Sequence, residues 1–361
     1  MTGNGAPIDG LPRMAPSPTS ANLSTVWDRM EELVDRAPTV QSLIAHRLHL
    51  AAARVWRSRG MEVPAVLEAE ERRATMITMA ARPLLEQACA AYDGPLMLMK
   101  GAEVAAHYRH PSDRYYSDLD LLAEDAPAAQ HALIDAGFIQ CGDPADYEHT
   151  QHLCPLVWPG IPLFIELHRH PNSPAWLPKP PLDEIFEHSV SSATGVAGLL
   201  APDPAAHALL LVAHSWAEAP LGRLTDLIDV AASLGDDRRS VADDLALRWG
   251  WDGMWRVAAS AGDAVLGSSG WPASLNVWAR HLMRARDRTV LENHLARIAA
   301  PTSALPVSLA LVGLVNGLKV TARRQRDEPW SHKVHRARLA VAHAFMESST
   351  HDRALCERRL R

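Results

Sequence analysis

The chain has 361 residues, 47% of them apolar and 22% charged, which is enough material for one or two buried cores. Its formal net charge of −6 argues against a protein that coats nucleic acid.

The N-terminal part is predicted to contain two units. Residues 1–22 are rich in Pro, Gly and Ser without any period, so we expect a disordered leader. A basic segment followed by an apolar one is missing there, and the four cysteines are scattered without a CxxC pair. These features favour a cytoplasmic protein. Residues 23–92 carry apolar side chains at helical spacing and predict a helical N-terminal unit.

Residues 93–171 are predicted to form a small α/β core. The turn at Asp93-Gly94 is followed by the apolar run "PLMLMK", then a helix "AEVAAHYRH" and a second strand "YYSDLDLLA". A short helix over "DAPAAQHALIDAG" and a strand "FIQCG" come next. The segments "HLCPLVW" and "IPLFIELH" flank Pro159-Gly160 and predict a hairpin.

After Pro171 the pattern predicts helices throughout, so residues 172–361 are expected to form a helical C-terminal region. Residues 298–318 carry no charge, but the prolines within them favour a buried helix over a membrane span. Residues 319–361 contain 11 Lys and Arg against 5 Asp and Glu, a net charge of +6. Such a segment favours either an anionic partner or packing against the acidic remainder. It lacks interleaved aromatics, so we do not expect a nucleic-acid partner.

Three acidic side chains occur in runs that otherwise resemble core strands. Asp118 and Asp120 share one face of their strand because side chains alternate, and Glu166 lies in the second apolar run, "FIELH". Carboxylates this close resist burial unless a cation accepts their oxygens. Mg²⁺ prefers hard oxygen ligands, and Mn²⁺ is an alternative. The sequence therefore predicts a metal site if the two strands are neighbours.

A zinc site is the alternative interpretation of the second run. Glu166, His168 and His170 alternate along one strand face, and imidazole with carboxylate is a zinc donor set. This pattern would indicate a zinc-dependent hydrolase, although no HExxH motif accompanies it.

Basic residues near these strands are candidates for binding an anion. Gly101 lets the backbone approach a phosphate closely, and Lys100 adds a charge. Arg114 either binds phosphate, shields the carboxylates or is a solvated loop residue.

Four further residues are candidates for contact with a substrate. His149 and His152 precede the hairpin, His168 lies in its second strand, and Asp226 lies in a downstream helix. Each also has a purely structural interpretation; Asp226, for example, would pair with a neighbouring arginine.

The array "LMKG", "YYSDLDLL" and "FIELH" resembles the DNA polymerase β-like nucleotidyltransferase superfamily. It is most similar to an uncharacterised bacterial branch in which Lys-Gly replaces the usual Gly-Ser. The resemblance covers about residues 95–235. It implies an α+β fold, with a small mixed sheet flanked by N-terminal helices and a helical C-terminal region.

The resemblance also implies roles for particular residues. Asp118 and Asp120 would bind metal, and Glu166 would bind the catalytic metal and take the acceptor proton. Lys100, Gly101 and Ser117 would contact the triphosphate. The implied reaction joins a nucleoside monophosphate from an NTP to a hydroxyl of a small molecule or peptide. Because Ala102 follows Gly101, one usual hydroxyl is absent. A non-catalytic nucleotide- or partner-binding module is therefore the alternative.

Overall fold

The computed structural model describes residues 23–266, apart from 36, 38–39, 149, 175–176, 219–222 and 236–237, together with Ser331. The predicted leader, residues 298–318 and the basic C-terminal segment therefore lie outside the described residues, Ser331 excepted. None of the helices in the described part is long and apolar enough to cross a membrane.

The described chain combines helices with one mixed sheet. Its helices, in chain order, are α1 (Leu23–Asp35), α2 (Val40–Ala45), α3 (His49–Ser58), α4 (Ala65–Ala91), α5 (Ala102–Ala106), α6 (Ala126–Asp135), α7 (Leu182–Glu187), α8 (Pro204–Glu218), α9 (Leu224–Leu234), α10 (Arg239–Arg248) and α11 (Asp252–Leu266). Its strands are β1 (Leu96–Leu98), β2 (Asp118–Ala123), β3 (Ile139–Gln140), β4 (Leu156–Val157), β5 (Phe164–His168), β6 (Ser189–Ser191) and β7 (Leu199–Pro202).

The seven strands described form a sheet in the order β3-β4-β5-β2-β1-β7-β6. β2 is antiparallel to β1 and parallel to β5, and β4 and β5 form the predicted hairpin. The α+β fold class is thus confirmed.

One prediction about the fold is wrong. After Pro171 the chain is not helical throughout, because β6 and β7 join the sheet beside β1. These strands are only three and four residues long. Such short segments lack the repeated alternation by which a strand is recognised in a sequence. Where the units begin and end remains a prediction.

Apolar side chains on the two faces of the sheet enter two different cores. Leu119 and Leu121 of β2 pack with α4 and α6, whereas Leu122 packs with the helices α8 to α11. Alternation places Asp118 and Asp120 on the same face as Leu122. The aspartates therefore face the helical layer.

Candidate active site

The pairing of β2 with β5 brings the acidic residues together. In this parallel register Asp120 lies opposite Glu166, and Asp118 lies opposite Phe164. Opposed residues in a sheet have neighbouring side chains on one face. The condition for a shared site, that the two acidic strands are neighbours, is met.

Asp120 is a buried carboxylate with one oxygen left without a hydrogen bond. Its side chain is 2% exposed. His168 Nε2 donates to Oδ1 at 2.9 Å, while Oδ2 lies 3.9 Å from Lys100 Nζ and accepts no hydrogen bond. Burial alone would raise the pKa of Asp120, but Lys100 and His168 together hold it far below its usual value. Asp120 is therefore ionised, and its Oδ2 has a lone pair that can bind a cation.

Glu166 is the second carboxylate of the site and is only partly buried. Its Oε2 lies 3.8 Å from His168 Nε2 and 3.9 Å from His152 Nδ1. Burial, together with the negative charges of Asp120 and Asp118, raises the pKa of Glu166 to about 7. The carboxylates thus repel one another, as is expected where a cation would balance them.

These side chains fit a divalent cation. Asp120, Glu166 and His168 each offer one ligand atom, and these atoms lie within 4.8 Å of one another. Asp118 is not part of this group, although it is half-buried on the same strand face as Asp120. The unpaired Oδ2 of Asp120 and the predominance of carboxylate oxygens suit Mg²⁺ or Mn²⁺. His170, which the zinc interpretation needs, does not belong to the group.

The Lys-Gly step passes directly over β2. Gly101 has φ +64°, and a Cβ placed on it would lie 2.6 Å from the backbone oxygen of Asp118. Only glycine fits this close approach without displacing the strand that carries the aspartates. The step also brings Lys100 to Asp120.

Two histidines of α8 hold the same step, and sequence reasoning did not identify either role. His207 Nε2 donates to the carbonyl oxygen of Met99 at 2.8 Å, and Lys100 Nζ donates to His214 Nε2 at 2.6 Å. Positions seven apart lie two turns apart on one helix face. The sequence shows that these two histidines share one face of an apolar helix. It does not show which strand that face contacts.

Arg114 lies inside the protein. Its guanidinium is 5% exposed and pairs bidentately with Asp229, the shortest contact being 2.7 Å, and Tyr108 donates to the same carboxylate at 2.6 Å. Burial would lower the pKa of Arg114, but Asp229 raises it well above its usual value. Binding of a nucleotide by Arg114, which stays a prediction, would require this pair to open.

The remaining candidates are placed as follows. Ser117 is half-buried immediately before β2, and its carbonyl accepts from the backbone N–H of Phe164 at 3.4 Å. His152 packs against His168, with ring centroids 5.4 Å apart. Asp226 accepts from Ser215 Oγ at 2.9 Å. His149 lies outside the described residues. Contact of these residues with a substrate remains a prediction.

A mixed sheet with carboxylates on adjacent parallel strands, beside a Lys-Gly step, is the arrangement that the nucleotidyltransferase resemblance implies. A model of one family, described as uncharacterised nucleotidyltransferase, matches residues 34–252, so the chain belongs to that family. The resemblance noted from the sequence is confirmed. No curated protein and no solved structure matches the chain.

Because of His207, the free energy of unfolding is expected to depend on pH. Because the side chain is fully buried and lies beside His107, its pKa is lowered from 6.5 to about 4. Above pH 6.5 it is neutral in both the folded and the unfolded chain. Between pH 6.5 and about 4 it is mainly the unfolded chain that takes up the proton, so the free energy of unfolding falls by up to about 1.4 kcal/mol per pH unit.

The variant His207→Gln keeps a donor for the Met99 carbonyl but cannot titrate. Between pH 7 and pH 5, urea unfolding should show the wild type losing about 2 kcal/mol more than this variant. Equal losses in the two proteins would contradict the prediction.

Proposed function

We propose that this protein transfers a nucleoside monophosphate from an NTP to a hydroxyl group of a small molecule or peptide. The oxygen of that hydroxyl attacks the α-phosphorus, the bond to pyrophosphate breaks, and the hydroxyl proton passes to a base. The observation that supports this most strongly is the pairing of Asp120 with Glu166 across two parallel strands. Family membership supports the reaction class.

The residues have distinct proposed roles. Asp118 and Asp120 would hold Mg²⁺ or Mn²⁺ together with the nucleotide, and Glu166 would hold the catalytic cation. The bound cation would neutralise phosphate charge and make the acceptor oxygen a better nucleophile. Glu166, a carboxylate beside the bound cation, would also take the proton of the acceptor hydroxyl.

Lys100, Gly101 and Ser117 are proposed to contact the triphosphate. Lys100 Nζ already lies 3.9 Å from Asp120 Oδ2, so it would approach a nucleotide held by that carboxylate. Gly101 leaves room for the backbone of the step beside Asp118. Catalysis would then consist mainly of positioning and charge neutralisation.

The experiment incubates the purified protein with each α-labelled NTP, Mg²⁺ and a cell extract. We expect label on an acceptor and release of pyrophosphate, both abolished by a chelator and restored by Mg²⁺ or Mn²⁺. Binding of NTP without transfer or pyrophosphate release would contradict the proposal. It would favour the binding-module alternative, which the Ala102 position motivates. Zinc in the purified protein, with hydrolysis but no transfer, would favour the hydrolase.

A further inference from the structure

Arg47 occupies an unusual backbone position at the border between the N-terminal helices and the rest of the protein. It lies in the turn between α2 and α3, with φ +55°, and among the described residues it is the one non-glycine with a positive φ. Such conformations are costly for a residue with a side chain and concentrate at functional sites. An arginine at this position therefore suggests a functional role for its side chain.

The turn that carries Arg47 is fixed against the start of α9. Within the turn, Arg47 donates its backbone N–H to Ile44 O at 3.0 Å. The neighbouring His46 accepts from Thr225 Oγ1 at 3.0 Å through its carbonyl, and from the Leu224 backbone N–H at 3.3 Å through Nδ1. Residue 223, which precedes α9, is also an arginine. The fold thus places two arginines close together.

The guanidinium of Arg47 has no carboxylate of its own in the described part of the chain. It stacks on the ring of Tyr115, 5.7 Å from the centroid, and forms neither a hydrogen bond nor an ion pair with any described side chain. Of the carboxylates nearby, Asp229 is paired with Arg114, and Asp226 accepts from Ser215 and from the backbone N–H of residue 223.

Both positive and negative charges act on Arg47, and its guanidinium is partly removed from water. Burial is the main effect that lowers its pKa, and the charges of Arg223 and Arg114 lower it further. Asp226 and Asp118 act in the opposite direction without overcoming this. A half-buried guanidinium beside like charges would be stabilised by a bound anion.

We propose that Arg47, with Arg223 beside it, is an anion-binding site that holds a phosphate or carboxylate group of a substrate next to Asp118. Tyr115, on which Arg47 stacks, precedes Asp118 by three residues, so the anion would lie beside the carboxylate strand. The inference rests on the proposed function for the identity of the substrate. The anion is either the triphosphate of the NTP or an acidic group of the acceptor.

The test measures binding of inorganic triphosphate, and of each NTP, to the full chain by calorimetry. Arg47→Gly removes the side chain while suiting the positive φ, and Arg47→Lys keeps the charge without the planar fork. Arg72→Gln, an exposed arginine of α4, is the matched control.

We expect Arg47→Gly to weaken triphosphate binding about tenfold or more, Arg47→Lys to weaken it less, and the control to leave it unchanged. If NTP affinity falls in parallel, the anion is the triphosphate. A second outcome is that Arg47→Gly binds triphosphate and NTP as the wild type does, but that its NTP-bound form binds inorganic phosphate more weakly. In that case the anion belongs to the acceptor.

The inference is overturned if Arg47→Gly binds all three anions as the wild type does, or if the wild type binds none of them. In the first case a lowered melting temperature would show that Arg47 only supports the fold. Failure of the proposed function is a separate result: the wild type would bind anions in an Arg47-dependent way without transferring a nucleotide.

Discussion

Replacing Asp120 with asparagine should reduce nucleotide transfer by about 10³-fold or more while leaving the fold intact. Asparagine keeps the shape of the side chain and can still accept the hydrogen bond of His168. It removes the negative charge and weakens Oδ2 as a cation ligand, and this oxygen is the unpaired one. The measurement is pyrophosphate release with labelled NTP and Mg²⁺, with circular dichroism to check folding.

The matched control is Asp135→Asn. Asp135 is an exposed aspartate in the last turn of α6, so the same chemical change there should leave the rate unchanged. A well-folded Asp120→Asn protein that transfers nucleotide at the wild-type rate would remove Asp120 from the proposed chemistry.

Replacing Asp229 with asparagine should lower the free energy of unfolding by about 3–5 kcal/mol. The change leaves the guanidinium of Arg114, 5% exposed, without its counter-charge inside the protein. It also weakens the acceptor that Tyr108 uses. The pair joins the chain before β2 to α9, so the loss should appear as lower stability of the whole described fold. Urea unfolding measures it.

The exposed ion pair Arg82–Glu86 on α4 is the control for this variant. Glu86→Gln removes one charge of an ion pair in water and should cost about 0.5 kcal/mol or less. Similar losses for the two variants would mean that Arg114 does not depend on Asp229 for its burial. The buried pair would then not explain how β2 is held against the helices.

The sequence predicted the central strands and the acidic residues for a clear physical reason. Alternation places Asp118 and Asp120 on one strand face, and a tight turn at Pro159-Gly160 signals the hairpin that leads into Glu166. What alternation does not determine is which strands are neighbours. The register that places Glu166 opposite Asp120 comes from the sheet itself.

Contacts between distant segments could not be predicted in this way. Arg114 reaches Asp229 across 115 residues, and Lys100 reaches His214 across 114. A helix pattern shows which face of α8 is apolar, but not which strand that face covers. The contacts of His207, His214 and Arg47 are therefore visible only in the folded structure.

We propose that Asp120 and Glu166, with Asp118 on the same strand face, bind the divalent cations of the reaction, and Mn²⁺ binding is the measurement that tests this. Electron paramagnetic resonance would count Mn²⁺ bound to the full chain with a non-hydrolysable NTP analogue, for the wild type and for Asp118→Asn, Asp120→Asn and Glu166→Gln. We expect the wild type to bind Mn²⁺, and the affinity to be reduced about tenfold or more in each variant. Equal Mn²⁺ affinity in all four proteins would contradict the proposal.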